Sequence, residues 1–319
     1  METGSCIYVA GHRGLVGSAI CRALGRRGYH NLLLRTRSEL DLANSAAVLE
    51  FFQHERPEYV FLAAAKVGGI LANMTYPADF IRENLQIQAN VIDACYRAGV
   101  RRLLFLGSSC IYPKLCPQPI REEYLLTGPL EPTNRPYALA KIAGIEMCWS
   151  YNRQYRTRYI AAMPTNIYGP GDNFDQNTSH VLPALLRKVA EAKSRGEATV
   201  TVWGTGTPRR EFLYSEELGD ACVFLLNLPD TAYDNLLNDE VPPVLNIGTG
   251  EDLTIRELAL LICGLLNYGG ELQFDTNRPD GTPRKLLDVS RINALGWQAK
   301  LSLEEGIIAT YEAVKSQLY

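Results

Sequence analysis

Cys6-Ile7-Tyr8-Val9-Ala10 runs directly into Gly11-His12-Arg13-Gly14-Leu15-Val16-Gly17, and a helix-like segment, Leu15 to Arg27, follows. Glycines at this G-x-x-G-x-x-G spacing let backbone N–H groups approach a pyrophosphate at a helix N-terminus. A plain glycine turn is the competing reading, and the strand-turn-helix context argues against it. Asn31 to Arg35 reads as the second strand. Proteins that select NAD usually end this strand on an acidic residue that holds the ribose 2′-hydroxyl. Here it ends in Arg35-Thr36-Arg37, two guanidiniums suited to a 2′-phosphate, and Arg13 is placed to join them. A surface strand end also carries arginine for solubility alone; NADP(H) is the expected cofactor in preference to NAD.

The same alternation continues. A helix over Ala46 to His54, with Asn44 or Ser45 as its cap, leads to a strand at Tyr59 to Ala63. Small residues from Ala64 to Gly69 leave room there for a nicotinamide ribose or a substrate. Pro77 to Ala98 has helical periodicity, and Arg102 to Gly107 is the next strand. This predicts an α/β protein with a Rossmann-type doubly wound parallel sheet, its ligands gathered at the C-terminal strand ends. Further strands are expected at 158–163, 199–203 and 244–247, the last extending the first sheet. Helices are expected at 181–193, 215–227, 255–266 and 303–315. The predicted organisation is an NADP(H)-binding domain over 1–168, rejoined by about 213–250. Residues 169–319 mainly form a smaller, discontinuous α/β substrate domain, with no flexible linker between.

Composition narrows the partners. The chain has 319 residues, 46% hydrophobic and 21% charged, with a net charge of −3, which disfavours a nucleic-acid-coating surface. No apolar run approaches the roughly 20 residues a bilayer span needs, so no membrane partner is expected. Met1 to Ser5 lacks the features of a secretory signal, and a cytoplasmic location follows. Eight cysteines are scattered without a Cys-x-x-Cys pair. Cys21, Cys95, Cys148 and Cys263 read as small buried hydrophobes kept reduced. Four histidines without ligand spacing predict no metal site.

Tyr137-Ala-Leu-Ala-Lys141 carries the chemistry. Four residues is about one helical turn, so phenol and ammonium share a face, and the ammonium is expected to lower the phenol's pKa. Such a tyrosine can exchange a proton with a carbonyl oxygen during hydride transfer. Alone the spacing is weak, since solvated helices show it by chance. Ser108 directly follows the strand at 102–107, where it can donate a hydrogen bond to a substrate carbonyl, although taken alone a serine that simply closes the strand is the preferred reading. Trp203 precedes a basic loop, Gly204 to Glu211, in which an aromatic face and guanidiniums suit a nucleotide-linked substrate. A core Trp beside a solvated basic loop is the plainer alternative.

Glycine loop, Ser108 and the Tyr137–Lys141 pair together resemble the short-chain dehydrogenase/reductase superfamily, in the extended branch that acts on nucleotide sugars. Gly11 to Ser18, Ala63 to Gly69, Leu106 to Lys114, Pro164 to Pro170, Trp203 to Phe212 and Lys285 to Val289 closely resemble the GDP-L-fucose synthase family across nearly the whole chain. That family epimerises C3 and C5 of GDP-4-keto-6-deoxy-D-mannose and then reduces C4 with NADPH. The resemblance implies that Ser108, Tyr137 and Lys141 are the reductase triad and that Cys110 and His180 are the epimerisation acid–base pair. It implies cofactor contacts from Gly11, His12, Arg13, Gly14, Leu15, Val16, Gly17, Arg37, Leu106, Gly107, Lys141, Pro164, Thr165, Asn166, Ile167 and His180, with Arg13 and Arg37 on the 2′-phosphate. Ser108, Asn166, Lys188, Trp203, Arg210 and Asp280 would meet the GDP-sugar. Position 188 is Lys where many relatives have Arg, and Gly171 stands where relatives often have His. A homodimer through the Tyr137 helix is likewise implied. Two relatives with other chemistry fit less well. A nucleotide-sugar 4,6-dehydratase usually shows Asp-Glu after the position of Ser108, where this chain has Ser109-Cys110. A UDP-hexose 4-epimerase retains NAD and needs no separate acid–base pair. From a different class, a catalytically silent NADP(H)-binding regulator has no need of the intact set Ser108, Tyr137, Lys141, Cys110 and His180.

Overall fold

A computed structural model describes residues 1–175, 178–278 and 280–317. Six parallel strands form the central sheet: β1 (Ile7–Ala10), β2 (Leu32–Leu33), β3 (Tyr59–Leu62), β4 (Arg102–Leu106), β5 (Tyr159–Pro164) and, far along the chain, Val244–Ile247. Their order is β2-β1-β3-β4-β5 and then Val244–Ile247, so the connections reverse direction between β1 and β3. Ligands of such sheets bind outside the carboxyl ends at that reversal. The four strands β1, β3, β4 and β5 are buried end to end, as continuous apolar runs between two helical layers should be.

The helices of this part are α1 (Leu15–Arg26), α2 (Ser45–Glu55), α3 (Ile70–Thr75), α4 (Pro77–Arg97) and α5 (Arg135–Tyr155). Asn44 caps α2, its side chain accepting from the Ala47 N–H. Strand β2 is shorter than the expected 31–35. Arg35 lies beyond it and pairs with Glu55 at 2.8 Å, which removes that guanidinium from a cofactor phosphate.

The second lobe begins with β6 (Asn166–Tyr168), α6 (Val181–Arg195), β7 (Thr199–Trp203), β8 (Arg209–Arg210) and β9 (Phe212–Tyr214), after which α7 (Ser215–Leu226) and α8 (Asp230–Asp234) return to the sheet. After β10 (Val244–Ile247) come β11 (Leu253–Thr254), α9 (Ile255–Leu265), β12 (Glu271–Asp275), β13 (Arg284–Lys285), α10 (Ser290–Ala294) and α11 (Leu303–Val314). Three apolar clusters hold the chain. One packs α1 and α7 on one sheet face, a second packs α2, α4 and α5 on the other, and the third joins α6, α9 and α11 around Leu186, Leu258 and Ile307. Ile292 and Trp297, late in the sequence, belong to the first cluster, so the chain returns to the sheet before α11. Capping boxes at Thr254–Glu257 and Ser302–Glu305 start α9 and α11.

Candidate active site

The floor of the site is the turn between β1 and α1. Gly11 has φ +85°, and a Cβ on Gly17 would stand 2.1 Å from the Gly11 carbonyl oxygen, so the turn closes this tightly only with glycine. Gly14, the cap of α1, is exposed and carries no side-chain hydrogen bond, which leaves the first N–H groups of α1 available to a phosphate. The buried Nδ1 of His12 has no partner either. These groups fit a dinucleotide pyrophosphate. Arg13 and Arg37 are exposed near the end of β2, and Arg37 reaches Glu83 only at 3.7 Å.

Tyr137 and Lys141 sit in the first turns of α5, which Pro136 helps to start. Gly144 brings α5 hard against the sheet: a Cβ there would meet Phe105 at 2.5 Å. Gln88 of α4 donates to the Ala140 carbonyl at 2.6 Å and fixes the helix pair. Lys141 is 2% exposed, and its Nζ donates to the Leu106 carbonyl at 2.7 Å, at the end of β4. The ammonium lies 5.8 Å from the Tyr137 ring centre. Burial lowers the Lys141 pKa to about 8, with the charge of Cys110 opposing.

The expected lowering of the phenol's pKa is corrected here. Burial drives the Tyr137 pKa upward and Cys110 adds to the rise, while a hydrogen bond with Ser108 opposes it. Lys141 is turned to a carbonyl rather than to the hydroxyl, so desolvation wins. This phenol is a proton donor at neutral pH.

Cys110 follows in the short turn Ser109–Ile111 and is 5% exposed. Its backbone N–H donates to the Ser108 hydroxyl at 3.4 Å. Burial raises the thiol's pKa; Lys285, then a hydrogen bond with Ser108, then Lys141 pull it down. His180 caps α6 with its ring open to solvent, in a loop whose residues 176 and 177 lie outside those described. Surrounding protein nevertheless desolvates that ring enough to lower its pKa, and Lys285 lowers it further. Gly171, at φ +86°, turns the start of the loop where a histidine would be strained.

A clasp joins the segment after Cys110 to the segment after Lys285. The Ile120 N–H donates to the Leu286 carbonyl at 2.7 Å, the Asp288 N–H to the Ile120 carbonyl at 2.8 Å, and the Leu286 N–H to Gln118 Oε1 at 2.9 Å. Glu211, 0% exposed, accepts from the N–H groups of Leu287, Thr249 and Gly250 at 2.9, 2.7 and 2.8 Å. Its backbone carbonyl accepts from Asn166 Nδ2 at 2.8 Å and Thr165 Oγ1 at 3.2 Å. Glu211 thus ties the segment after β13 to the loop after β10 through its carboxylate, and holds β6 through its backbone carbonyl. Sequence reasoning assigned no role to Glu211 or Lys285, although both lie in stretches it quoted.

Residues expected to meet the nucleotide form a second patch. Strand β7 alternates, burying Val200 and Val202 and leaving Thr199, Thr201 and Trp203 outside. Trp203 is 51% exposed, so it is no core residue. Lys188 and Arg278 lie over its ring at 5.1 and 4.8 Å. Lys188 also donates to the Thr201 carbonyl, and Arg210 Nη1 to the Arg209 carbonyl at 2.7 Å. Asp280 is occupied by Thr205, accepting from its N–H and its hydroxyl at 3.0 and 2.8 Å. Arg278 is the member of this patch that the sequence reading lacked.

All eight cysteines are free thiols. Of the four expected to be buried, Cys95, Cys148 and Cys263 are, while Cys21 is half-exposed. Among the described residues no cluster of metal ligands occurs, and no helix is long and apolar enough to cross a membrane.

The profile of the NAD dependent epimerase/dehydratase family matches residues 7–248. The chain is 57% identical to GDP-L-fucose synthase 1 of Arabidopsis thaliana over 306 residues, 96% of this chain and 92% of that protein. Its identity to the GDP-L-fucose synthase of Escherichia coli K12 is 54%, over 96% of this chain and 95% of the relative. Among solved structures, the GDP-mannoheptose C4 reductase from Campylobacter jejuni with NADP bound superposes with a TM-score of 0.90 at 42% identity, covering 99% of both chains. With these likenesses running nearly end to end over the same sheet, turn and helix, the chain belongs to the NAD dependent epimerase/dehydratase family, in its GDP-L-fucose synthase branch.

Proposed function

We propose that this chain is a 3,5-epimerase and NADPH-dependent 4-reductase that converts GDP-4-keto-6-deoxy-D-mannose to GDP-L-fucose. The observation that carries the reading is the convergence of Ser108, Cys110, Tyr137 and Lys141 at the end of β4, each acting on another of the group. The C4 ketone acidifies the protons on C3 and C5, because removing either one leaves an enolate. At each centre Cys110 takes the proton from one face, the electron pair passes to the ketone oxygen, and His180 returns a proton to the other face. Ser108 and Tyr137 hold that oxygen while it is negative, as an oxyanion hole does. Positioned proton transfer of this kind contributes about 10²–10⁴-fold.

Bound NADPH supplies the hydride that reduces C4. Tyr137 gives the proton that completes the alcohol, a role that suits a phenol kept protonated by burial. Lys141 places positive charge beside it. The open start of α1 receives the pyrophosphate, Arg13 and Arg37 meet the 2′-phosphate, and the Trp203 patch holds the guanosine diphosphate with Lys188, Arg210 and Arg278. Residues 1–168 with 213–250 serve the cofactor and the rest serves the sugar nucleotide. A second copy packs on α4 and α5, where Tyr96 and Tyr155 stack at 4.2 Å near the helix ends and Leu85 and Leu139 are exposed farther along the same helices. Eight reduced thiols agree with a cytoplasmic site of action.

Incubation with NADPH and GDP-4-keto-6-deoxy-D-mannose should oxidise NADPH and yield GDP-L-fucose; complete absence of oxidation would leave only a silent cofactor-binding protein. Cys110→Ser should reduce solvent-deuterium incorporation at C3 and C5 by about 10²-fold or more, since a serine hydroxyl is too weak a base. Unchanged incorporation would remove Cys110 from the mechanism.

A further inference from the structure

Lys285 has no part in the reaction as described, yet among the described residues its ammonium is the charge that acts on both Cys110 and His180. It stands on β13, paired in register with Arg210 of β8. The Ile120–Leu287 clasp and the Glu211 carboxylate fix the backbone directly after it. No hydrogen bond or ion pair to its Nζ is formed among the described residues, and burial lowers its pKa. A partly buried cation without a partner is costly, and such a charge persists where it faces a group that becomes negative in use. The groups facing it are Cys110, Arg210, Glu131 and Cys116. Cys110 in turn faces Lys285, Ser108, Lys141 and Tyr137, and His180 faces Lys285.

We propose that Lys285 is the positioning residue that holds Cys110 as a thiolate opposite His180, and that it serves the epimerisations and not the reduction. The inference rests on Cys110 and His180 being the acid–base pair. A buried thiol is a poor base until a cation steadies its ionised form. Lys285 supplies that cation from the side of the second lobe, while Lys141 is already committed to the Leu106 carbonyl. The thiolate takes the C–H proton and the electron pair moves to the ketone oxygen. The protonated ring of His180, disfavoured by the same ammonium, gives up its proton on the opposite face. No charge or atom is gained overall.

The test uses the full-length enzyme with Lys285→Met and Lys285→Arg. Deuterium incorporation at C3 and C5 is followed against pH. Reduction is followed separately, on keto sugar already epimerised by the wild type without NADPH. Lys285→Met should lose about 10²-fold in incorporation at neutral pH. Its acidic limb should move up by about one pH unit or more, tenfold less thiolate at a given pH. Reduction of the epimerised sugar should stay within about threefold, and Lys285→Arg should keep the wild-type limb. An unmoved limb in Lys285→Met, or reduction falling in step with exchange, overturns the proposal. Should the Met variant fail to bind NADPH, Lys285→Gln carries the same expectations. Cys110→Ser run in parallel separates the two readings. Wild-type exchange there sinks the acid–base pair itself, whereas a dead Cys110→Ser beside an unmoved Lys285→Met limb sinks only the role of Lys285.

Discussion

The two halves of this site are built in opposite ways. The reductive half, Ser108, Tyr137 and Lys141, is local: one strand end and one helix turn, locked by a single 2.7 Å bond from Lys141 to the Leu106 carbonyl. The proton-shuffling half draws Cys110, His180 and Lys285 from three separate segments; the clasp between 118–120 and 286–288 and the buried Glu211 fasten the Lys285 segment, while His180 comes from the cap of α6. Chemistry on the sheet can rely on helical periodicity. Chemistry reaching over to the second lobe needs its own tertiary fasteners. The contrast also separates two ammoniums, one fixed to backbone and one left facing a thiol.

Tyr137→Phe should break the contrast most sharply. Loss of the proton donor should cut hydride transfer by about 10²–10⁴-fold while NADPH still binds; deuterium exchange, which keeps Ser108 on the enolate oxygen, should fall less. Full reductase turnover in that variant would end the assignment. Glu211→Gln attacks the other half. It replaces one acceptor oxygen with an amide facing backbone N–H groups and should cost about 1–3 kcal/mol of stability in urea unfolding. In Glu211→Gln exchange should fall further than reduction; equal losses would mean that the carboxylate serves the fold alone.

Lys141 gives a pH signature of the reductive half. Its folded pKa of about 8 lies below its ordinary 10.5, so in that window the unfolded chain holds a proton the folded one has shed. Stability from this group therefore rises with pH between about 8 and 10.5. Buried thiols and phenols with raised pKa values act the opposite way, so the comparison is with Lys141→Met. The stability of the wild type relative to that variant should improve by on the order of 2 kcal/mol from pH 7.5 to 10. A flat difference would mean that Lys141 titrates normally. The smallest effect is expected at the cofactor's far end. Arg37→Ala should raise the KM for NADPH about tenfold and leave that for NADH unchanged, as loss of one charge-assisted contact implies. Equal effects on both would divorce Arg37 from the 2′-phosphate.

The sheet was legible because its strands are continuous apolar runs and its first turn needs glycine at 11 and 17. The Tyr137–Lys141 pair was legible as a spacing, but its electrostatics were not. Sequence says that two groups share a helix face; it does not say that Gly144 and Phe105 bury that face and reverse the expected shift. Arg35 was misplaced for the same kind of reason, since Glu55 competes for it across the sheet edge. Trp203 could be placed only once β7 showed which side alternated outward. Lys285 and Glu211 stayed unassigned because their partners lie 175 and 76 positions away, at Cys110 and Leu287, and no periodicity reports such distances.

The clasp between Ile120 and Leu287 also has a temporal side. A ribosome delivers the glycine turn, Ser108, Tyr137 and Lys141 well before β10 and β13 emerge, and nascent domains fold from the N-terminus as they appear. A growing chain can therefore present the dinucleotide turn early, while the wall that handles protons is added only once β13 has emerged. Activity on the sugar is thereby deferred until long after the cofactor turn has been made.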